Sequence, residues 1–245
     1  TEVRAVTCPK GSYLAHSLKD GILSIRLPAP LKAGASTKVT ISYLSTPRMG
    51  LFFHKPLPDA PDTPLFLYSQ GQGSDNRRWV PCYDEPDDRL TWDVHVTVPA
   101  ALATVSNGLL SKSDPVVDGL RTDHWSFGWR SPMYLLSLIV GDLETVSERW
   151  NNVVLEYSAL KGHHEELVTS LRETPHMLQV FSDLTGEAYP WPRYAQTYVW
   201  DFLYGGMENT TATTLNMRAL HTERARPNYM SEGLVAHELA HMWFG

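Results

Sequence analysis

The sequence is poor in cysteine and lacks both a long apolar run and a surplus of basic residues. Two cysteines among 245 residues exclude a disulfide framework. The 21 basic and 27 acidic residues give a net charge of −6. No nucleic-acid partner is expected, because phosphate binding requires a basic surface. The longest apolar run, MYLLSLIVG at 133–141, is too short for a membrane span and indicates a buried strand.

The first residues, TEVRAVTCPK, include neither a methionine at position 1 nor the basic start and apolar middle of a signal peptide. We therefore expect residues to precede Thr1, and the sequence assigns no compartment.

The apolar share of 42% and the charged share of 20% predict a soluble protein with a buried core. A chain of this length forms one large domain or two ordinary ones.

Residues 1–145 have the pattern of antiparallel β structure. The stretches ILSIRLPAPL, STKVTISYLS and WDVHVTVPA alternate apolar and polar residues, as half-buried strands do. Three dipeptides are typical of hairpin turns: Asp20-Gly21, Asn107-Gly108 and Asp118-Gly119. We predict an N-terminal antiparallel β domain at 1–145.

Residues 146–245 alternate between predicted strands and predicted helices. VVLEYSAL, AQTYVW and MENTTATTL are rich in the β-branched and aromatic residues of strands. HHEELVTSLRETPHMLQVFSDLTG predicts a helix that stops at Gly186, with a kink or break at Pro175. MSEGLVAHELAHMWFG predicts a closing helix with Ser231 or Asn228 as its N-cap. The predicted fold class is α+β.

The closing helix contains the pattern H-E-x-x-H at His237, Glu238 and His241. Positions i and i+4 share one helix face, so both imidazoles can bind one zinc ion. Glu238 is rotated by about 100° from His237, which suits a general base acting on water at the metal. The alternative is two histidines on an ordinary amphipathic helix, whose apolar residues are Leu234, Val235, Leu239, Met242 and Trp243.

A catalytic zinc normally has three protein ligands. The four residues after His241 include no Cys, His, Asp or Glu. The third ligand is therefore expected elsewhere in the chain or beyond Gly245.

Two further segments accompany this motif: YGGMENTTATTL at 204–215, and YSQGQGSDNRRWVPCYDEPDDRLTWDVHVTVPA at 68–100. Together the three resemble the M1 family of zinc aminopeptidases, of the gluzincin group. The resemblance implies a saddle-like N-terminal β domain and, at 146–245, the start of a thermolysin-like catalytic domain with one zinc ion. It also implies a chain truncated at both ends. The third zinc ligand, the oxyanion tyrosine and a C-terminal part that packs on this chain would lie beyond Gly245.

The resemblance assigns roles to individual residues. Glu208 would bind the substrate's free ammonium, for which a carboxylate is the suitable partner. Gly205, Gly206 and Met207 would lie along an extended substrate, although the glycine pair alone is more typical of a loop or bulge. Gln70 and Gln72 occupy the family's Q-x-E segment.

Two positions bear on the subfamily. Gln72 stands where many members have glutamate, and Gly206 stands in place of alanine. Both features resemble the branch of leukotriene A4 hydrolase and aminopeptidase B. SDNRRWVPCYDEPDD is more similar to bacterial aminopeptidases. The subfamily and the preferred first residue of the substrate therefore stay open.

The predicted function is a zinc-dependent aminopeptidase acting on peptides with a free N-terminus. Two alternatives remain: a non-catalytic binding module with a vestigial metal site, and an epoxide hydrolase/aminopeptidase similar to leukotriene A4 hydrolase. The 245-residue chain alone is expected to be inactive. Its closing helix is expected to expose Leu239, Met242 and Trp243.

Overall fold

The computed structural model describes all 245 residues, and its first part is built from antiparallel strands. They are β1 (Glu2–Thr7), β2 (His16–Lys19), β3 (Ile22–Ile25), β4 (Thr40–Leu44), β5 (Leu51–His54), β6 (Phe66–Ser69), β7 (Arg89–Pro99), β8 (Ala103–Ser106), β9 (Leu109–Ser113), β10 (Leu120–Pro132) and β11 (Leu138–Gly141). They form four sheets, in the orders β1-β4, β2-β3, β5-β6-β11-β8 and β7-β10-β9. Every pairing in these sheets is antiparallel, as predicted.

The apolar run at 133–141 does contain a buried strand. All four residues of β11 are buried, and β11 pairs with β6 on one side and with β8 on the other. Only the second half of the run is a strand, because Met133–Leu135 forms a short 3-10 turn. A strand between two neighbours, covered on both faces, needs no alternation of polar residues.

Two of the three predicted hairpin turns are confirmed. Asp20 and Gly21 have φ angles of 52° and 78° between β2 and β3, and Asp118 and Gly119 have 50° and 76° between β9 and β10. Both central residues of such a turn need positive φ, which Asp and Gly tolerate.

The hairpin predicted at Asn107-Gly108 is wrong. Strand β8 before it pairs with β11, whereas β9 after it pairs with β10, so the dipeptide connects two different sheets. The Asn107 side chain is buried rather than at a turn surface. The dipeptide signal reports only local backbone preference, and here long-range hydrogen bonds determine the conformation.

The second part of the chain forms one mixed sheet with three helices. Its strands are β12 (Leu143–Trp150), β13 (Val153–Leu160), β14 (Arg193–Val199), β15 (Gly206–Met207) and β16 (Ala212–Asn216), in the order β12-β13-β14-β16-β15. β13, β14 and β16 run parallel, and the two edge strands run antiparallel to their neighbours. The helices are α1 (His164–Leu171), α2 (Thr174–Thr185) and α3 (Glu232–Phe244). The fold is therefore α+β, and the boundary predicted at residue 145 falls inside β12.

The helix predicted at 163–186 is two helices. Pro175 lies in the first turn of α2, where its missing N–H leaves no hydrogen bond unmade, so the break comes just before it. Gly186 ends α2 in the left-handed conformation, as predicted. Ser231 occupies the N-cap of α3 but donates its hydroxyl to the backbone oxygen of Ser170 (2.8 Å).

No helix in the structure combines the length and apolarity that a membrane crossing needs.

The expected exposure of the α3 apolar face is wrong. Val235, Leu239 and Met242 are buried in a core cluster with residues of α1, α2, β13 and β14. Trp243 is half-buried, and its ring centroid lies 5.6 Å from that of Phe181, with the two rings tilted by 32°. Elements of this chain therefore cover the part of the helix face that contains these residues.

A second apolar cluster connects the two parts of the chain. Phe66, Tyr68 and Ile139 of the N-terminal strands pack against Val199 and Met207 of the mixed sheet. All five are nearly inaccessible to solvent. Strand β15, which ends at Met207, is therefore seated directly on the N-terminal β structure.

Candidate active site

Three of the predicted site residues converge at the end of β15. Glu208, Glu238 and His241 each place one side-chain oxygen or nitrogen within 4.8 Å of those of the other two. Glu208 follows β15, whereas the other two lie on α3. The fold thus brings together residues that are about thirty positions apart in the sequence.

Helix geometry places the two histidines of α3 side by side. The ring centroids of His237 and His241 are 5.0 Å apart. His241 Nδ1 donates to the backbone oxygen of Gly245 (2.9 Å), so Nε2 is the ring nitrogen left for a metal. His237 is exposed and is not among the three residues within 4.8 Å of one another.

The carboxyl group of Glu238 has an unusual proton affinity. Burial raises its pKa, the negative charge of Glu208 raises it further and His241 opposes the rise, so that the pKa is about 7. The buried hydroxyl of Tyr194 lies close enough for Glu238 to add to the rise of its pKa, which burial dominates. A carboxyl group with a pKa near neutrality is typical of a proton-transfer site.

Gly206 allows β15 and α3 to approach closely. A Cβ added to Gly206 would lie 2.4 Å from Glu238 Oε1 and 2.7 Å from Glu238 Cγ. A Cβ on Gly205 would meet only Leu234 Cδ1, at 3.3 Å. The second glycine of the pair therefore makes room for the Glu238 side chain.

Strand β15 is the edge of the mixed sheet. It pairs with β16 on one side only, through Gly206 with Leu215 and Met207 with Thr214. Asn216 supports the loop before it by donating its side-chain amide to the backbone oxygen of Tyr204 (3.0 Å). The other edge of β15 has no strand beside it, so its backbone groups are available for pairing.

The structure restricts the roles predicted for three other residues. The Met207 side chain is buried between the two parts of the chain, which leaves only its backbone for a substrate. Gln70 is also buried, and its side-chain oxygen accepts from the backbone N–H of Gln72 (3.3 Å). Gln72 is exposed. Gln70 thus stabilises the loop that contains residues 70–72. Of the Met207, Gln70 and Gln72 side chains, only that of Gln72 is exposed to solvent.

The sequence does not predict the proximity of Tyr134 to Glu208. Burial raises the pKa of Tyr134, the charge of Glu208 adds to the rise, and Arg89 opposes it. Tyr134, which belongs to the N-terminal part of the chain, thus lies within electrostatic range of Glu208, and Arg89 lies within range of Tyr134. The apolar run at 133–141 indicated only a strand, so the sequence held no signal for this proximity.

The donor set fits zinc. Imidazole nitrogens and carboxylate oxygens are zinc ligands, and the rings of the two histidines, one helical turn apart, have centroids 5.0 Å apart. The hydrogen bond from His241 Nδ1 to a carbonyl is the support that a metal-binding imidazole usually has.

The sequence matches two domain families of one peptidase family. The Peptidase M1 N-terminal domain matches residues 12–135, and the Peptidase family M1 domain matches residues 169–245. The first match alone covers half of the chain, and the sequence therefore belongs to peptidase family M1.

Individual relatives agree with this family. Endoplasmic reticulum aminopeptidase 1 of Homo sapiens is 28% identical over 240 residues, which is 95% of this chain and 25% of that protein. Aminopeptidase N of Acetobacter pasteurianus is 29% identical over 233 residues, 91% of this chain and 64% of that protein. The chain spans between a quarter and two thirds of the length of these relatives.

Solved structures share the fold. The M1 zinc metallopeptidase of Deinococcus radiodurans superimposes with a TM-score of 0.79 at 27% identity, over 99% of this chain and 54% of that one. A mutant of the same enzyme bound to a Tyr-Ser-Ala substrate gives a TM-score of 0.77, also at 27% identity and with the same two coverages.

Proposed function

We propose that this chain carries the amine-binding and general-base half of a zinc-dependent aminopeptidase. The observation that carries the proposal is the convergence of Glu208, Glu238 and His241 within 4.8 Å beside the free edge of β15. Removal of an N-terminal residue requires a binding site for a cation, a general base and a surface along which the peptide can bind. Two carboxylates and an imidazole beside a free strand edge meet these requirements.

His237 and His241 would hold the metal. When bound, zinc would supply Lewis-acid chemistry by polarising the scissile carbonyl and lowering the pKa of water. The support for this assignment is the chemistry of the donor set and the helical spacing of the two rings.

Glu238 would move the proton. Its carboxylate would take a proton from the water that attacks the carbonyl carbon, and would return it to the amine nitrogen as the peptide bond breaks. Burial beside β15 keeps this carboxyl group poorly solvated and gives it the raised pKa that suits both directions of transfer.

Glu208 would bind the ammonium of the substrate. A free N-terminus is positively charged, and a half-buried carboxylate at the end of the strand is its complementary partner. The peptide would lie in extended form along Gly205 and Gly206 and pair with the free edge of β15. The names of the relatives, aminopeptidases in both cases, support this substrate class.

The test uses the full-length protein. Metal analysis should find about one zinc per chain, and leucyl anilide should be hydrolysed while its N-acetylated form is not. A protein with no zinc and no hydrolysis would favour the non-catalytic module. A protein that cleaved both substrates equally would contradict the role of Glu208.

A further inference from the structure

The three residues that follow Glu208 are buried against the N-terminal β structure. Asn209, Thr210 and Thr211 are each less than 10% exposed, whereas Glu208 itself is half-buried. These residues connect β15 to β16, and two segments of the N-terminal part, 106–108 and 131–137, contact them. The backbone that carries Glu208 is thus attached on its far side to a different part of the chain.

Asn107 connects this loop to the segment at 131–137. Its Nδ2 donates to the backbone oxygen of Thr210 (2.7 Å) and to that of Leu135 (3.0 Å), and its Oδ1 accepts from the backbone N–H of Ser137 (2.7 Å). Asn209 donates to the same oxygen of Leu135 (3.2 Å). A planar amide with two donors and one acceptor satisfies all three groups at once.

Thr211 adds a second attachment in a strained conformation. Its φ of 65° lies in the left-handed region, which a β-branched residue rarely adopts. The backbone N–H of Gly108 donates to its Oγ1 (2.7 Å). Such strain persists only where the surroundings over-determine the conformation.

Segment 106–108 is itself held in place by its neighbours. A Cβ on Gly108 would lie 2.0 Å from the backbone oxygen of Ser126, so this loop is pressed against β10. On its other side Arg193 donates to the backbone oxygens of Ser106 (3.0 Å) and Gly108 (3.2 Å). Segment 106–108 is therefore a rigid support for the residues after Glu208.

We propose that Asn107 and Thr211 are positioning residues that hold Glu208 at the substrate ammonium. The proposal rests on the function proposed above and names the part of the molecule that sets amine recognition. The N-terminal β structure would then determine selectivity for a free N-terminus without touching the substrate at these positions. The alternative is that the same contacts only stabilise the fold.

The two possibilities differ in what a weakened contact changes. Loss of stability alone lowers the melting temperature and leaves the discrimination between substrates unchanged. Loss of positioning weakens the interaction with the ammonium selectively, because a charge-assisted hydrogen bond depends on the placement of both partners. The ratio of inhibition constants for leucine hydroxamate and its des-amino analogue reports that interaction alone.

The decisive pair is Thr211→Val against Thr211→Ser in the full-length enzyme. Valine keeps the shape and removes the oxygen that accepts from Gly108, whereas serine keeps the oxygen. We expect Val to reduce the preference for the amine-bearing inhibitor by about three- to tenfold, the effect of one net hydrogen bond. The valine variant should raise KM more than it lowers kcat. The serine variant should retain the wild-type ratio of the two inhibition constants. Asn107→Ala should act in the same direction as Val, provided that it folds.

Two further variants make the outcome unambiguous. Asp123→Asn breaks a buried ion pair with Arg121 inside the N-terminal part, so it should lower the melting temperature and keep the ratio. Glu208→Gln should abolish the preference. If Glu208→Gln does so and Thr211→Val leaves the ratio unchanged, the positioning role is overturned and the proposed function stands. If Glu208→Gln keeps the preference, both are overturned.

Discussion

The two halves of the candidate site are held in place in opposite ways. The half on α3 is local: His237, Glu238 and His241 take their relative positions from one helix, whose buried face packs in the core of the mixed sheet. The half on the loop is non-local. Glu208 takes its position from hydrogen bonds between residues about a hundred positions apart in the sequence, such as Asn107 with Thr210.

This difference separates chemistry from recognition. The helix half contains the residues proposed for metal binding and proton transfer, and its geometry follows wherever the helix forms. The loop half contains the residue proposed for recognition of the N-terminus, and its geometry depends on two parts of the chain being docked. Changes in the helix should therefore affect the rate with any substrate, and changes in the loop should affect which substrate is used.

The largest effect is expected in the helix half, from Glu238→Gln. The amide cannot accept the proton of water, so kcat should fall by about 10²–10⁴-fold with leucyl anilide, while zinc stays bound. Activity assays and metal analysis of the full-length enzyme measure the two quantities.

Glu232→Gln is the matched control for this variant, because it makes the same change in the first turn of the same helix. It should change kcat by less than about threefold, since Glu232 pairs with Arg226 and is not one of the three converging residues. Loss of zinc from the Glu238 variant would show that this residue is a ligand rather than a base.

The next effect is expected in the loop half, from Glu208→Gln. Removal of the charge should reduce kcat/KM for free-amine peptides by about 10–150-fold, which corresponds to the loss of about 1.5–3 kcal/mol from a charged hydrogen bond. Glu165→Gln on the exposed surface of α1 is the control and should be neutral. An unchanged kcat/KM in the Glu208 variant would remove the amine-binding role.

The same contrast explains what the sequence could predict. The H-E-x-x-H helix, the strands predicted from VVLEYSAL and AQTYVW, and the helix stop at Gly186 rest on local patterns, and the structure contains each of these elements. Asn107-Gly108 predicts a turn from the sequence, because a dipeptide carries no information about a partner a hundred positions away. The burial of Leu239 was missed for the same reason, since the residues that cover it come from distant elements.

An acid-stability experiment sharpens the comparison, because it tests the stability of the N-terminal β structure separately from the position of Glu208. Burial tends to raise the pKa of Asp123, but hydrogen bonds from Arg121, Ser113 and Thr104 outweigh it and lower the pKa to about 2. A depressed folded-state pKa stabilises the fold above the unfolded value of 3.8, and this stability is lost as pH falls from 3.8 to 2. The contribution at neutral pH is about 2 kcal/mol.

Asp123→Asn isolates this contribution. In denaturant unfolding at pH 7 the variant should be about 2 kcal/mol less stable than the wild type, and the difference should shrink towards pH 2. Asp118→Asn is the control, because Asp118 lies at an exposed hairpin turn. A stability difference that stays constant between pH 7 and pH 2 would show that the Asp123 charge does not stabilise the fold.

The smallest effect is expected where the two halves touch, from Gly206→Ala. The new Cβ would lie 2.4 Å from Glu238 Oε1, so the carboxylate must move away from β15. The side chain is flexible at that end, and kcat should fall by less than about tenfold with KM nearly unchanged.

Gly205→Ala is the matched comparison for the position of Glu238. Its Cβ meets only the end of Leu234 at 3.3 Å, so a crystal structure should show Leu234 shifted by a few tenths of an ångström and Glu238 in place. The Gly206 variant should instead show a displaced Glu238 carboxylate. If Glu238 is displaced in neither variant, the glycine at 206 does not set the distance between β15 and α3. The loop and helix halves would then be positioned independently of each other.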